Sequence, residues 1–209
     1  METQTAPLET LQDIRKMMEK SSRFISLSGW SGVSAGIFGL IGAWYANNLL
    51  DQAATTSRTG RAGWDDGIGF QLIVLAVVVF ICALGSSFIL TWVRSRRSGF
   101  AIWGTSARRL MWNTMLPMLV GGLLILRMIG DEYYTLIAPA ALLFYGLALV
   151  NGSKYTLGEI RYVGYLEIVL GVICLAIPNH GLIFWTLGFG VVHIVYGIMM
   201  WWKYERKTA

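Results

Sequence analysis

Six stretches of the sequence, roughly 24–46, 69–92, 112–130, 133–151, 161–178 and 181–202, are long apolar runs with almost no charge. An α-helix needs about 20 such residues to cross a hydrocarbon core of about 30 Å. Helices on the surface of a soluble domain keep a polar stripe for water, and these six windows have none. The chain therefore reads as an all-α integral membrane protein, a bundle of six transmembrane helices over 24–202. A cytoplasmic amphipathic helix over 1–23 would precede the bundle, and a cytoplasmic tail over 203–209 would follow it. Charged residues make up 14% of the 209, against about 25% in soluble chains. They collect between the apolar runs, which leaves no stretch for a separate catalytic domain.

The turns and the basic residues set the expected topology. Gly130-Asp131-Glu132 and Pro178-Asn179-His180-Gly181 are tight-turn sequences, so windows three and four, and five and six, read as hairpins. Fourteen of the 17 Lys and Arg residues fall before window one, after windows two and four, and after window six. That asymmetry places both termini in the cytoplasm. It also accounts for the net charge of +5 without nucleic acid. Trp44, Trp92, Trp112, Tyr133, Tyr134, Trp201 and Trp202 stand at the expected span ends, where indole and phenol favour the membrane interface. The first apolar run begins near Phe24 and is too long for the core of a cleavable signal. Cys82 and Cys174 lie inside apolar runs and read as small buried hydrophobes.

Before the first window, Leu8, Leu11, Ile14, Met17 and Met18 recur at helical spacing, with Arg15, Lys16, Glu19 and Lys20 facing elsewhere. This helix either rests on the membrane and bundle or docks a cytoplasmic protein partner. Within the spans, two hairpins look like copies of one unit. Gly122 in LVGGLLIL matches Gly171 in VLGVICL, and Gly146 in LLFYGLAL matches Gly197 in HIVYGIMM.

Two family resemblances follow from such stretches. ETLQDIRKMMEKSSRFISLSGWSG, from Glu9 to Gly32, resembles the start of a family of small, uncharacterised bacterial six-span membrane proteins. The final hairpin, GYLEIVLGVICLAIPNHGLIFWTLGFGVVHIVYGIMM, resembles that of bacterial acid-resistance membrane proteins through Gly171, Pro178 and Gly197. Together the resemblances imply a bacterial cytoplasmic (inner) membrane location and a stress-related role, with no activity attached.

Candidate functional residues are few. Ser28, Gly32 and Gly36 recur every four residues in window one, beside a second row at Ala35, Gly39 and Ala43. Small residues at this spacing let helices pack closely, within the chain or in a homo-oligomer. Glu167 and His193 are ionisable groups inside spans, which are costly and commonly functional or paired. They lie at equal sequence distance from His180 in the turn, so an antiparallel hairpin sets them at similar depth. They form a candidate proton-responsive pair; otherwise Glu167 reaches the interface beside Tyr165 while His193 bonds a neighbouring helix. Arg94, Arg96, Arg97, Arg108 and Arg109 flank Phe100, Ile102 and Trp103, a pattern suited to the bilayer surface and anionic lipid headgroups. Arg127 should pair with Asp131 or Glu132. The outer loop 47–68, with Asp51, Asp65 and Asp66, reads as solvated.

The sequence lacks a phosphate loop, His-Glu-x-x-His and Cys-x-x-Cys. No cofactor or metal is expected. The favoured reading is a non-enzymatic membrane protein with a regulatory or stress-response role, acting through a cytoplasmic partner. The alternative is a transporter or channel for a small solute, protons or ions. A lipid-directed membrane enzyme is the third reading, supported only by scattered polar groups.

Overall fold

The computed structural model describes residues 28–58, 66–98 and 104–206, and every element among them is helical. In chain order these are α1 (Gly29–Arg58), α2 (Asp66–Ser98), α3 (Thr105–Gly130), α4 (Ile137–Gly152), α5 (Ile160–Ala176) and α6 (Gly181–Tyr204). Short 3₁₀ turns at Tyr134–Leu136 and Ser153–Tyr155 flank α4, and α6 contains a π-helical segment, Thr186–Val192. Five of the six, counting α4 together with its flanking 3₁₀ turns (Tyr134–Tyr155), are long and apolar enough to cross a membrane. The exception, α5, has 17 residues, or about 26 Å at 1.5 Å per residue. The turn sequences act as expected, for Glu132 (φ 61°) and Asn179 (φ 69°) both reverse the chain in the left-handed region. Asparagine tolerates that region better than most residues.

Burial runs opposite to that of a soluble protein. Leu123, Tyr162, Phe70 and Leu116 are each about two-thirds exposed, while Ser31, Ser95, Thr156, Glu167 and His193 are buried. Water does not tolerate so much apolar surface on a folded chain, whereas lipid does. With Leu-rich surfaces equally at ease in lipid, helix association falls to close packing and hydrogen bonds. This is the architecture of a multi-pass membrane protein.

Glycines supply the close packing. α1 packs on α2 and α6, α4 packs on α3 and α5, and α6 joins the two groups through its contacts with α1, α4 and α5. At the α1–α6 crossing, a Cβ on Gly36 would stand 2.7 Å from the Gly190 carbonyl oxygen, and one on Gly39 2.5 Å from that of Phe189. A Cβ on Gly32 would stand 3.1 Å from Gly197 Cα. At the α4–α5 crossing, Gly146 and Gly164 face each other, and a Cβ on either would stand 2.7 Å from the other's carbonyl oxygen. Of the two glycine pairs in the proposed duplication, Gly146 and Gly197 are both pressed against a neighbouring backbone, whereas Gly122 and Gly171 differ. Gly171 is pressed against Leu143, but a side chain at Gly122 would meet nothing within 4 Å. Its neighbour Gly121 makes the contact instead, against Phe144.

Several boundaries differ from the sequence reading. α1 continues through the expected outer loop to Arg58, so Trp44 lies mid-helix. Asp51 there accepts a hydrogen bond from Asn47 at 2.9 Å, one helical turn away, which favours helix over loop. The expected tail is also partly structured, because Glu205 bonds to α1 and Lys203 and Tyr204 bond to Glu159, just before α5. The amphipathic helix over 1–23 falls outside the described residues.

Candidate functional site

Glu167 is the eighth residue of α5, about 11 Å along the helix axis from its start, and has no exposed area. Both of its carboxylate oxygens are buried and accept no hydrogen bond among the described residues. A carboxyl group so placed costs several kcal/mol unless a partner compensates it. Its nearest ionisable partner is His193, whose Nδ1 lies 3.6 Å from Glu167 Oε1. That is ion-pair range, beyond a hydrogen bond.

The hairpin therefore brings together the two residues that the sequence set at one depth. Glu167 does not snorkel to the interface. The ring of His193 is held at both nitrogens: Nδ1 lies 2.9 Å from the Gly188 carbonyl oxygen and Nε2 2.6 Å from the Tyr145 hydroxyl on α4. Tyr145 and Phe189 lie against the imidazole, with ring centroids 5.4 and 6.2 Å away.

The π segment makes this arrangement. Its extra residue per turn places Gly188, five residues before His193, where its carbonyl meets the ring. π-helical turns inside α-helices are rare and concentrate at functional sites. Gly188 is needed for a second reason, because a Cβ there would collide with Glu167 Oε2 and approach Leu142 Cδ2 to 2.5 Å. The other face of the same stretch lies on α1, where a Cβ on Gly32 would be 3.3 Å from the His193 carbonyl oxygen.

Two further polar clusters tie the bundle together at the end that carries the start of α1. Glu205, just past α6, accepts from Arg94 Nη1 (2.6 Å), the Gly29 backbone N–H (2.5 Å) and Ser28 Oγ (3.4 Å). A carboxylate at the first turn of α1 also complements the helix dipole. Glu159, before α5, accepts from Lys203 (2.5 Å) and Tyr204 (2.6 Å). Desolvation works to raise the Glu159 carboxyl, but these hydrogen bonds outweigh it and hold the group below the usual carboxylate range.

The remaining sequence candidates disperse. Ser28 turns to Glu205, while Gly32, Gly36 and Gly39 form the seam with α6. Arg94 is engaged with Glu205 rather than free for lipid, and Arg96 lies 4.3 Å over the Trp92 ring. Arg108 and Arg109 are exposed at the start of α3, and the side chain of Arg97 is outside the described set. Arg127 pairs with Asp131 at 2.9 Å on the exposed end of α3. Cys82 and Cys174 are free thiols. Among the described residues, no three His, Cys, Asp or Glu side chains gather as metal ligands do. An open groove of about 330 Å³ between α1 and α2, lined by Tyr45, Leu49, Phe70 and Val74 among others, contains none of these residues.

The sequence reading missed Tyr145, Gly188 and the Glu205 cluster. Tyr145 sits in an unbroken apolar run and reads there as one more aromatic. The glycine pair Gly188 and Gly190 in window six was the available signal of a close approach. No family model, curated protein or solved structure matches the chain.

Proposed function

We propose that the chain is a non-enzymatic, proton-responsive regulator with six membrane spans, acting on a cytoplasmic partner through its N-terminal segment. The observation that carries this reading is the buried Glu167 carboxyl, which accepts no hydrogen bond among the described residues, beside the doubly bonded ring of His193. A histidine titrates near neutral pH after small environmental shifts, and changing its charge changes the cost of burying Glu167. Because His193 lies on the glycine seam, such a change bears on α1 and on the segment that precedes it. The resemblances of residues 9–32 and 164–200, and the bacterial inner-membrane location they imply, belong to this proposal. So does the use of Arg96, Arg97, Arg108 and Arg109 against anionic headgroups.

Partner recovery tests the function. The full chain, residues 24–209 and His193→Gln would each be captured from native membranes at about pH 5.5 and about pH 7.5, either side of the histidine range. A cytoplasmic protein should be recovered in a pH-dependent amount by the full chain alone. Equal recovery by all three, or by none, would count against regulation. A buried intramembrane carboxyl is also what proton-coupled transporters carry. Sustained proton uptake into proteoliposomes, lost in Glu167→Gln, would favour that second reading.

Topology has its own test, in a background lacking Cys82 and Cys174. A cysteine at Ser57 should react with an impermeant reagent on intact cells, and one at Ser98 only after permeabilisation. Labelling of both from outside would sink the six-span arrangement.

A further inference from the structure

The two contacts of the His193 ring differ in kind. The Gly188 oxygen is a carbonyl and can only accept, so Nδ1, at 2.9 Å, must bear a proton; a bare Nδ1 would set lone pair against lone pair. The Tyr145 hydroxyl, at 2.6 Å from Nε2, can donate or accept. It donates to the neutral ring and accepts from the charged one. Nδ1 therefore stays protonated in both states, and the charge of the ring is decided at Nε2. Glu167 lies on the Nδ1 side at 3.6 Å, away from Nε2.

We propose that the proton that charges and discharges His193 passes at Nε2 through the Tyr145 hydroxyl, with Glu167 serving as counter-charge and not as proton donor. The inference deepens the proton-responsive reading and rests on it. On charging, the tyrosine hydroxyl proton moves to Nε2 while its oxygen takes up a proton that comes from bulk water. The net change is one proton gained from solvent. Tyrosine ends neutral, and its oxygen then accepts from Nε2–H.

The facing groups are few. α4 presents Tyr145 and α5 presents Glu167. α6 adds Tyr196 one turn further on, its hydroxyl buried and without a hydrogen-bond partner among the described residues. α1 meets this stretch through Gly32 and Gly36, which do not titrate.

Nitrogen-15 NMR of the histidine-labelled full chain in lipid nanodiscs tests the proposal directly. His180, the other histidine, is exposed in the turn before α6 and would be replaced by glutamine to leave one signal pair. The neutral ring should show a protonated Nδ1 and a bare Nε2, and acidification should add a proton at Nε2 alone. Tyr145→Phe should keep the Nδ1–H form, since Gly188 still accepts, but slow exchange at Nε2 at least about tenfold, as loss of a positioned proton carrier does.

A neutral ring protonated at Nε2, or exchange unaltered in Tyr145→Phe, overturns the proposal while leaving pH-dependent partner recovery intact. The converse result, the described titration with no pH-dependent recovery, overturns the regulatory function and not the proton route. A ring that keeps one form across the whole range in which the protein stays folded overturns both.

Discussion

Gly197→Leu should lower the stability of the protein in detergent by about 3 kcal/mol or more, the upper end of what overpacking costs. A Cβ at this position would stand 2.5 Å from the Val33 backbone nitrogen and 2.6 Å from the Gly29 carbonyl oxygen. Both obstacles are main chain on α1, so no side-chain rotation relieves them. The helices must separate, and separation opens the contacts of Gly32 and Gly36 as well. In a chain of this size each kcal/mol moves the thermal midpoint by about 2–4 °C, so a fall of about 6–12 °C is expected. Intrinsic tryptophan fluorescence at a fixed scan rate would measure it, since unfolding of such proteins is commonly irreversible. Gly122→Leu is the control, because nothing stands within 4 Å of that site, and it should leave the midpoint within a degree or so. A Gly197→Leu midpoint equal to that of the control would mean that the seam does not hold the bundle together.

The second large effect is expected at the buried pair. His193→Gln strips partners from the Tyr145 hydroxyl, the Gly188 carbonyl and the Glu167 carboxyl at one stroke. Each stranded buried group costs about 1–3 kcal/mol, and breaking a buried ion pair costs about 3–5 kcal/mol. A loss of about 3 kcal/mol or more follows. Glu167→Gln should cost less, because that carboxyl accepts no hydrogen bond that could be lost. The double variant should lose less than the sum of the two, with a coupling of about 0.5–3 kcal/mol, as residues in one network show. Matched thermal scans of the four proteins supply the cycle. Strict additivity would show that the two side chains act independently despite their 3.6 Å separation.

Much of this protein can be read from one dimension, and the reason is the solvent. Lipid imposes a length and a composition on each segment that crosses it, and both are visible residue by residue. The apolar windows, the turns at Asp131–Glu132 and Asn179, and the small-residue row at Gly32, Gly36 and Gly39 all follow from that local constraint. The shared depth of Glu167 and His193 follows from helix rise and a short turn. Boundaries were less legible where local chemistry opposed the apolar pattern, as in the polar end of α1 held helical past Trp44.

What lay beyond the sequence concerns which faces meet. Spacing puts two residues at one height on two helices but does not rotate those helices toward each other. The tertiary structure decided that Glu167 points inward rather than toward the interface, and that Gly122 faces outward while Gly121 packs. It also placed Tyr145, on a third helix, as the partner of His193 Nε2. The π turn at Thr186–Val192 belongs to the same class, since its register answers to the groups packed around it. Local composition governs what each segment can cross, because the bilayer acts on every residue separately. Only the packed bundle fixes partners, because a contact across helices depends on rotation, crossing angle and the glycines that let backbones approach.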